Sequence, residues 1–224
     1  MSLRRAMAAV VRREFGLLAQ RPSDWANPLA FYLIVCSLFP FGIGSESERL
    51  RLIGVGVVFV AALLAVLVTL PRLFEEDCRD GSIESWLTSP EPLSALVLAR
   101  LAALSVALGI PLAAVTPVFA LFYALPVDVA VALALAVCLA VPTLLLIGSI
   151  SAALVISARG GTLLLAVLVL PLAVPTLIFG AAAALKVLYG ESPLAEFALE
   201  GAYLLLALAL CPAAAAAALR ISLE

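Results

Sequence analysis

The chain of 224 residues has a mean hydropathy of +1.23, with 65% hydrophobic and only 12% charged residues. A soluble domain carries roughly 25% charge, so the solvent for most of this chain is a bilayer. A net charge of −2 gives no basic field for nucleic acid, and the absence of any histidine removes the commonest general base, metal ligand and haem ligand together.

The first segment, 1–21, reads as an amphipathic helix. At 100° per residue, Leu3, Met7, Val10, Val11, Phe15, Leu17 and Leu18 share a broad face; Arg5, Arg12 and Arg13 lie opposite, with Arg4 and Glu14 intruding. Its apolar stretches are broken by Arg12, Arg13 and Glu14, which does not suit a cleavable signal. Such a helix lies in the inner interface with its arginines facing anionic lipid. It is expected to act either as an elbow into the first span or as a simple anchor.

Crossing the hydrocarbon core takes about 20 apolar residues. Apolar runs at 26–44, 52–71, 97–122, 129–157, 162–185 and 201–219 predict six spanning helices, among which only Arg100 is charged. Basic residues favour the cytoplasmic side. With the N-terminus inside, Arg4, Arg5, Arg12, Arg13, Arg21, Arg72, Arg79, Arg100, Arg159 and Arg220 are cytoplasmic, and only Arg49, Arg51 and Lys186 are outside. Both termini are therefore expected in the cytoplasm. Pro111, Pro117, Pro142, Pro171, Pro175 and Pro212 interrupt the spans and predict kinked, closely packed helices. The widely separated Cys36, Cys78, Cys138 and Cys211 show no metal-binding spacing and read as small hydrophobes among the helices.

Several chemistries fail on residue type. The P-loop needs a lysine, and the only one, Lys186, follows Leu185 on the expected outer side. A calcium loop built on Gly81 would place Cys78 and Leu87 at liganding positions. The Asp80-Gly81 pair lacks the Ala-Arg and the later aspartates of membrane phosphatidyltransferases. A Ser-His hydrolase needs a histidine. Ion-coupled transporters bury ionisable groups near the midplane, and the predicted spans hold none there. Thr143, Ser149 and Ser151 are expected to bond local carbonyls. The energy source is therefore expected outside this chain.

One stretch departs from its apolar surroundings: "FEEDCRDGSIESWLTSPEPL", residues 74–93. It holds Glu75, Glu76, Asp77, Asp80, Glu84 and Glu91, six of the fifteen acidic residues. Asp80 or Ser82 can cap a helix start, with Glu84 suited to the positive end of its dipole. Ile83, Trp86 and Leu87 then share a face, and Pro90 and Pro92 stop the helix before the third span. Two readings are open: an interfacial helix with Trp86 among the headgroups, or a ridge that docks into a groove of a soluble partner.

"EDCRDGSIESWLTSPEPLSALVLARLAA" resembles the cytoplasmic loop of ABC-2-type exporter permeases, where an acidic-Gly-Ser/Thr-hydrophobic-Glu segment leads to a proline and the third span. The whole chain resembles the haem exporter protein B family, the permease subunit of the cytochrome c maturation system. The resemblance is carried by "ANPLAFYLIVCSLFPFGIG" at 26–44, "RLFEEDCRDGSIESWL" at 72–87, "RGGTLLLAVLVLPLAVPTLIFG" at 159–180 and "AAALRISLE" at the C-terminus.

The resemblance implies an all-α ABC-2-type membrane permease, a single domain over 1–224, with an elbow at 1–21 and a cytoplasmic coupling segment at 74–92. It implies a bacterial inner-membrane assembly of two copies of this chain with two copies of a separate ATPase. A haem-handling membrane protein, a small single-span subunit and a periplasmic haem chaperone complete the system. Carried onto this chain, the ATPase-contacting residues are Glu76, Asp77, Asp80, Gly81, Ser82, Ile83, Glu84, Trp86 and Leu87. No cofactor or metal is expected on the chain itself and no catalysis; ATP belongs to the ATPase, and haem is the candidate substrate. With no histidine, and with Trp25 and Trp86 standing alone near span ends, axial haem ligation here is not expected. ATP hydrolysis would drive either haem export or release of the haem-loaded chaperone. Two other classes are a non-transporting scaffold and a passive or secondary transporter of apolar solutes; the latter leaves the acidic stretch unexplained.

Overall fold

The computed structural model describes residues 3–44, 47–156 and 161–223; Arg159 lies outside them, as do the side chains of Glu76 and Arg79. The described elements are helices α1 (Leu3–Gln20), α2 (Ser23–Ile43), α3 (Ser47–Thr69), α4 (Glu75–Arg79), α5 (Ser82–Leu87), α6 (Leu93–Phe122), α7 (Val127–Val155), α8 (Gly161–Leu188) and α9 (Leu194–Leu223), with a 3-10 turn at Leu70–Arg72. Six helices, α2, α3 and α6 to α9, are long and apolar enough to cross a membrane. At 1.5 Å per residue, the 30 residues of α6 or α9 span roughly 45 Å, enough to cross with tilt.

The sixth span differs from its sequence reading. Expected at 201–219, it begins in the structure at Leu194, so Glu196 and Glu200 fall inside α9. Glu200 is completely buried. The sequence criterion took a charge as the edge of a span, whereas the helix simply continues past both glutamates, and a buried acid enters the bundle.

The central helix is α7, which packs on α3, α6, α8 and α9 and buries residues along its whole length. Its core faces are alanine, valine and leucine. Without a hydrophobic drive between helices in lipid, small side chains that admit close backbone approach hold such a bundle together. Gly54 on α3 makes room for Tyr123: a Cβ there would come within 2.7 Å of the tyrosine side chain. The Tyr123 hydroxyl in turn donates to the Cys36 carbonyl at 2.9 Å, and the Tyr32 and Thr116 hydroxyls share a hydrogen bond of 2.9 Å. These two bonds clamp α2, the least buried span, against α6.

Pro111, Pro117, Pro142, Pro171, Pro175 and Pro212 all lie within helices. Thr143 and Ser149 donate to the nearby carbonyls of Leu139 and Leu146, at 2.8 and 2.6 Å, as expected for hydroxyls in apolar helices. Cys36 and Cys211 are buried and Cys78 half-buried; Cys138 instead lies exposed on the outer surface of α7.

Because the spanning helices alternate in direction, α1, the α4–α5 segment and the C-terminal end of α9 share one end of the bundle. The Ser222 hydroxyl donates to the Ala153 carbonyl at 2.9 Å there, tying the last turn of α9 to the last turn of α7.

Candidate functional site

The acidic stretch folds into two short helices joined by a tight turn. Gly81 sits at the turn with φ +75°, a left-handed conformation in which a side chain would be strained. A Cβ at this position would also meet the Glu84 carboxylate at 2.9 Å. Asp80 caps α5 from just before the glycine: its carboxylate accepts from the Ser82 backbone N–H at 3.0 Å. Hydrogen bonds from the Ser82 side chain and backbone, then the nearby Arg13 and Arg21 guanidiniums, hold the Asp80 carboxyl below the usual carboxylate range. The helix ends at Leu87, and Pro92 stands immediately before α6, as the prolines predict.

What holds this segment on the bundle is an ionic network that includes residues of α1 and α6. Arg100, near the start of α6, pairs with Asp77 of α4 and lies 3.9 Å from Glu14 of α1. Arg13 reaches Asp77 at 3.1 Å, Glu14 at 3.5 Å and Asp80 at 3.6 Å, and donates to the Ser82 hydroxyl at 3.0 Å. Glu14, Asp77 and Arg100 are buried, with relative exposures of 3%, 2% and 8%. Two carboxylates and the Arg100 guanidinium thus share a desolvated knot, with Arg13 closing it from the half-exposed side, and breaking one buried partner leaves a buried charge uncompensated. The Arg100 guanidinium also lies 5.7 Å from the Phe74 ring centroid and 5.9 Å from that of Trp86, within cation–π range.

This geometry corrects the orientation expected for the ridge. Ile83 is 1% and Trp86 8% exposed, both turned into the permease, and Leu87 is half-buried. The apolar face of α5 needs cover from water, and the Arg100–Phe74 surface supplies it within the same chain. A free partner cannot reach Trp86. The groups that do face outward are Asp80, Glu84, Ser85 and Thr88. Asp77 also turns inward, as the counter-ion of Arg100, and Ser82 is half-buried against Arg13.

The amphipathic reading of α1 is refined in the same way. Val10 and Leu18 are buried as expected, and Arg4, Arg5 and Arg12 are exposed. Arg13 and Glu14, however, serve the network rather than lipid. Sequence reasoning did not assign Arg13, Glu14, Phe74 or Arg100 to the site. Two signals pointed to them: Glu14 interrupts the apolar face of α1, and Arg100 is the one charge in the apolar run of the third span.

Cys78 lies beside this site. Burial, then the neighbouring charges of Glu84 and Asp80, push its thiol above the ordinary value. Among the described residues no group of His, Cys, Asp and Glu is arranged to hold a metal ion.

The chain matches the family described as CcmB protein over residues 5–222. It is 43% identical over 213 residues to heme exporter protein B of Pseudomonas aeruginosa, covering 95% of this chain and 96% of that protein. It is 42% identical over 218 residues to heme exporter protein B of Paracoccus denitrificans, covering 97% of this chain and all of that protein, 100%. The protein of that name from Haemophilus influenzae is 40% identical over 219 residues, at 96% and 97% coverage. Six helices long and apolar enough to span a membrane, an amphipathic first helix and a short helical segment clamped between the second and third spans are thus the architecture of a multi-pass membrane protein that belongs to the CcmB protein family.

Proposed function

We propose that this chain is the permease subunit of an ABC transporter that serves c-type cytochrome biogenesis in the bacterial inner membrane. It carries no catalysis itself, and ATP is hydrolysed on a separate ATPase subunit. Two copies of the chain act with two ATPase subunits, beside a haem-handling membrane protein, a small single-span subunit and a periplasmic haem chaperone. Its relatives are named for heme export, and haem is the substrate class this reading carries over; ATP hydrolysis drives either haem export or release of the haem-loaded chaperone.

The observation that carries this reading is the α4–α5 segment. It is fastened to α6 by Arg100 and to α1 by Arg13, yet it presents the charged and hydroxyl face of Asp80, Glu84, Ser85 and Thr88 outward. A push on that face passes directly into a spanning helix. The ten basic residues on this side, against three on the other, favour the cytoplasm, where an ATPase would stand. A passive transporter would have no use for such a lever.

The test is co-purification of the chain with its ATPase, followed by a nucleotide-dependent assay of haem-chaperone release. Release that proceeds equally with a hydrolysis-dead ATPase would leave only a scaffold. A reporter active only in the periplasm should be silent when fused at either terminus; activity at the C-terminus would reverse the topology.

A further inference from the structure

We propose that Glu200 is a proton-binding site within the bundle, loaded and emptied through Glu196 from the end of the molecule opposite the α4–α5 segment. Glu200 lies about 9 Å along α9 from Leu194, the first residue of that helix, at 1.5 Å per residue. Its side chain is completely enclosed, and neither carboxyl oxygen has a hydrogen-bond partner among the described residues. The missing side chain of Gly180 on α8 leaves the space it occupies: a Cβ there would lie 3.1 Å from a Glu200 oxygen and closer still to the Phe59 ring of α3.

The surroundings select the ligand. In an apolar site, a carboxylate with neither cation nor donor is far costlier than the neutral acid. The neighbouring helices bring no counter-charge to it. The one charge on α8 is Lys186, in its last turn beside Glu191 and Glu196. On α3, Glu48, Arg49 and Arg51 stand in the first turns and nothing titratable follows from 52 to 69. The one charge on α6 is Arg100, at the other end of the bundle, and the Tyr123 hydroxyl beyond it donates to Cys36. On α7, Asp128 and Cys138 are both exposed. On α9 itself the Tyr203 hydroxyl donates to the Leu172 carbonyl at 2.7 Å. A metal ion needs several oxygen ligands, and among the described residues no group of acids gathers here to supply them. A proton needs no such shell, and it is the cation this place can take.

Glu196 supplies the path. It stands one helical turn from Glu200, so the two carboxyls share a face of α9. Its two oxygens differ in their surroundings. Oε1 lies 3.8 Å from the half-exposed Lys186 ammonium, whereas Oε2 is buried and has no partner among the described residues. One carboxyl thus reaches from a solvated ion pair into the dry interior, as a proton relay must. Thr176, one turn from Gly180 on α8, is buried with its hydroxyl also unpartnered. A helical threonine usually bonds the carbonyl four residues back, and here that carbonyl, of Leu172, accepts from Tyr203 instead. When the proton leaves, Glu200 needs a donor, and a shift of α8 that brings up Thr176 supplies one. Loading of Glu200 therefore selects the packing of α8 on α9. This goes beyond the transport reading and stands without it.

The test is infrared spectroscopy of the purified full-length chain in lipid nanodiscs at pH 7, where exposed carboxyls are ionised. Wild type should show a carboxylic acid C=O band, the size of a single carboxyl, that is missing in Glu200→Gln. Transfer to D2O should shift that band, and Glu196→Gln should keep the band but slow its shift several-fold. Absence of any Glu200-dependent band overturns the proton as ligand. A band that never shifts in D2O marks a sealed acid and overturns exchange, and an unchanged rate in Glu196→Gln overturns the path. Melting curves establish that the variants are folded. If Glu200→Gln aggregates, Glu200→Leu takes its place and should lack the same band, whose persistence overturns the assignment; Glu196→Ala likewise replaces an aggregating Glu196→Gln, with the same slowing expected.

Discussion

Arg100 of α6 and Asp77 of α4 form a buried ion pair, and through it the α4–α5 segment is fastened to the third span. The pair differs from a surface salt bridge in its surroundings: Glu14 and Arg13 close the charge balance, and the Phe74 and Trp86 rings cover the guanidinium. A desolvated charge without its partner costs several kcal/mol.

Arg100→Met should therefore destabilise the chain by about 3–5 kcal/mol, because it strands Asp77 and Glu14 together in a dry site. Asp77→Asn should be milder, since Arg100 keeps Glu14 nearby. Thermal unfolding followed by tryptophan fluorescence in lipid nanodiscs checks the order. Equal melting temperatures for wild type and Arg100→Met would show that the pair contributes nothing to holding the segment.

The two faces of α5 should respond differently to substitution. Trp86→Ala removes a large side chain from beneath Arg100 and should cost about 3 kcal/mol of stability. Glu84→Lys reverses an outward charge and should leave the melting temperature within a degree or two while weakening ATPase association in pull-downs. If Glu84→Lys leaves binding intact, the ATPase meets another surface.

Much of this architecture was legible because hydropathy over a 20-residue window is a strong signal. Six spans, the amphipathic α1 and the helix between the second and third spans all follow from runs of residue types. The orientation of α5 was not legible. The spacing of Ile83, Trp86 and Leu87 defines a face but not what covers it, and the cover comes from Phe74 and from Arg100, which lies in another helix. The start of α9 was missed for a related reason. Glu196 and Glu200 read as the edge of a span until tertiary packing shows Glu200 enclosed against α8.

Gly81→Val should strain the turn at φ +75° by about 1–2 kcal/mol and displace Glu84 from its place beside the glycine. Gly81→Asn, whose side chain tolerates the left-handed region, should cost clearly less. Valine should lower cytochrome c maturation more than asparagine at equal membrane abundance. Equal activity of the two would show that the aim of α5 does not depend on this turn.

The Cys78 thiol, raised by burial and then by Glu84 and Asp80, should alkylate with iodoacetamide at pH 8 more slowly than a free thiol. Because the neighbouring carboxylate contributes to the shift, Glu84→Gln should bring the thiol down and speed the reaction. Peptide mass spectrometry over a time course reads both rates. An unchanged rate in Glu84→Gln would place the glutamate too far away to act on the sulfur.

Glu200 gives the last prediction. Its carboxyl oxygens are both buried and have no hydrogen-bond partner among the described residues. Across the α8–α9 contact it faces Gly180, whose hypothetical Cβ would lie 3.1 Å from a Glu200 oxygen and would also strike the Phe59 ring. Any side chain at position 180 must therefore displace both neighbours, and Gly180→Val should lower the melting temperature sharply, as overpacking costs about 1–3 kcal/mol. Glu200→Leu should act in the opposite direction. It replaces an unsatisfied polar group by an apolar one of similar size, and removing such a penalty is worth about 1–3 kcal/mol. A higher melting temperature for Glu200→Leu, together with a lower one for Gly180→Val, is the expected pattern in nanodiscs. A marked loss of stability in Glu200→Leu would mean that the carboxyl group is satisfied in the membrane and helps to hold α9 against α8.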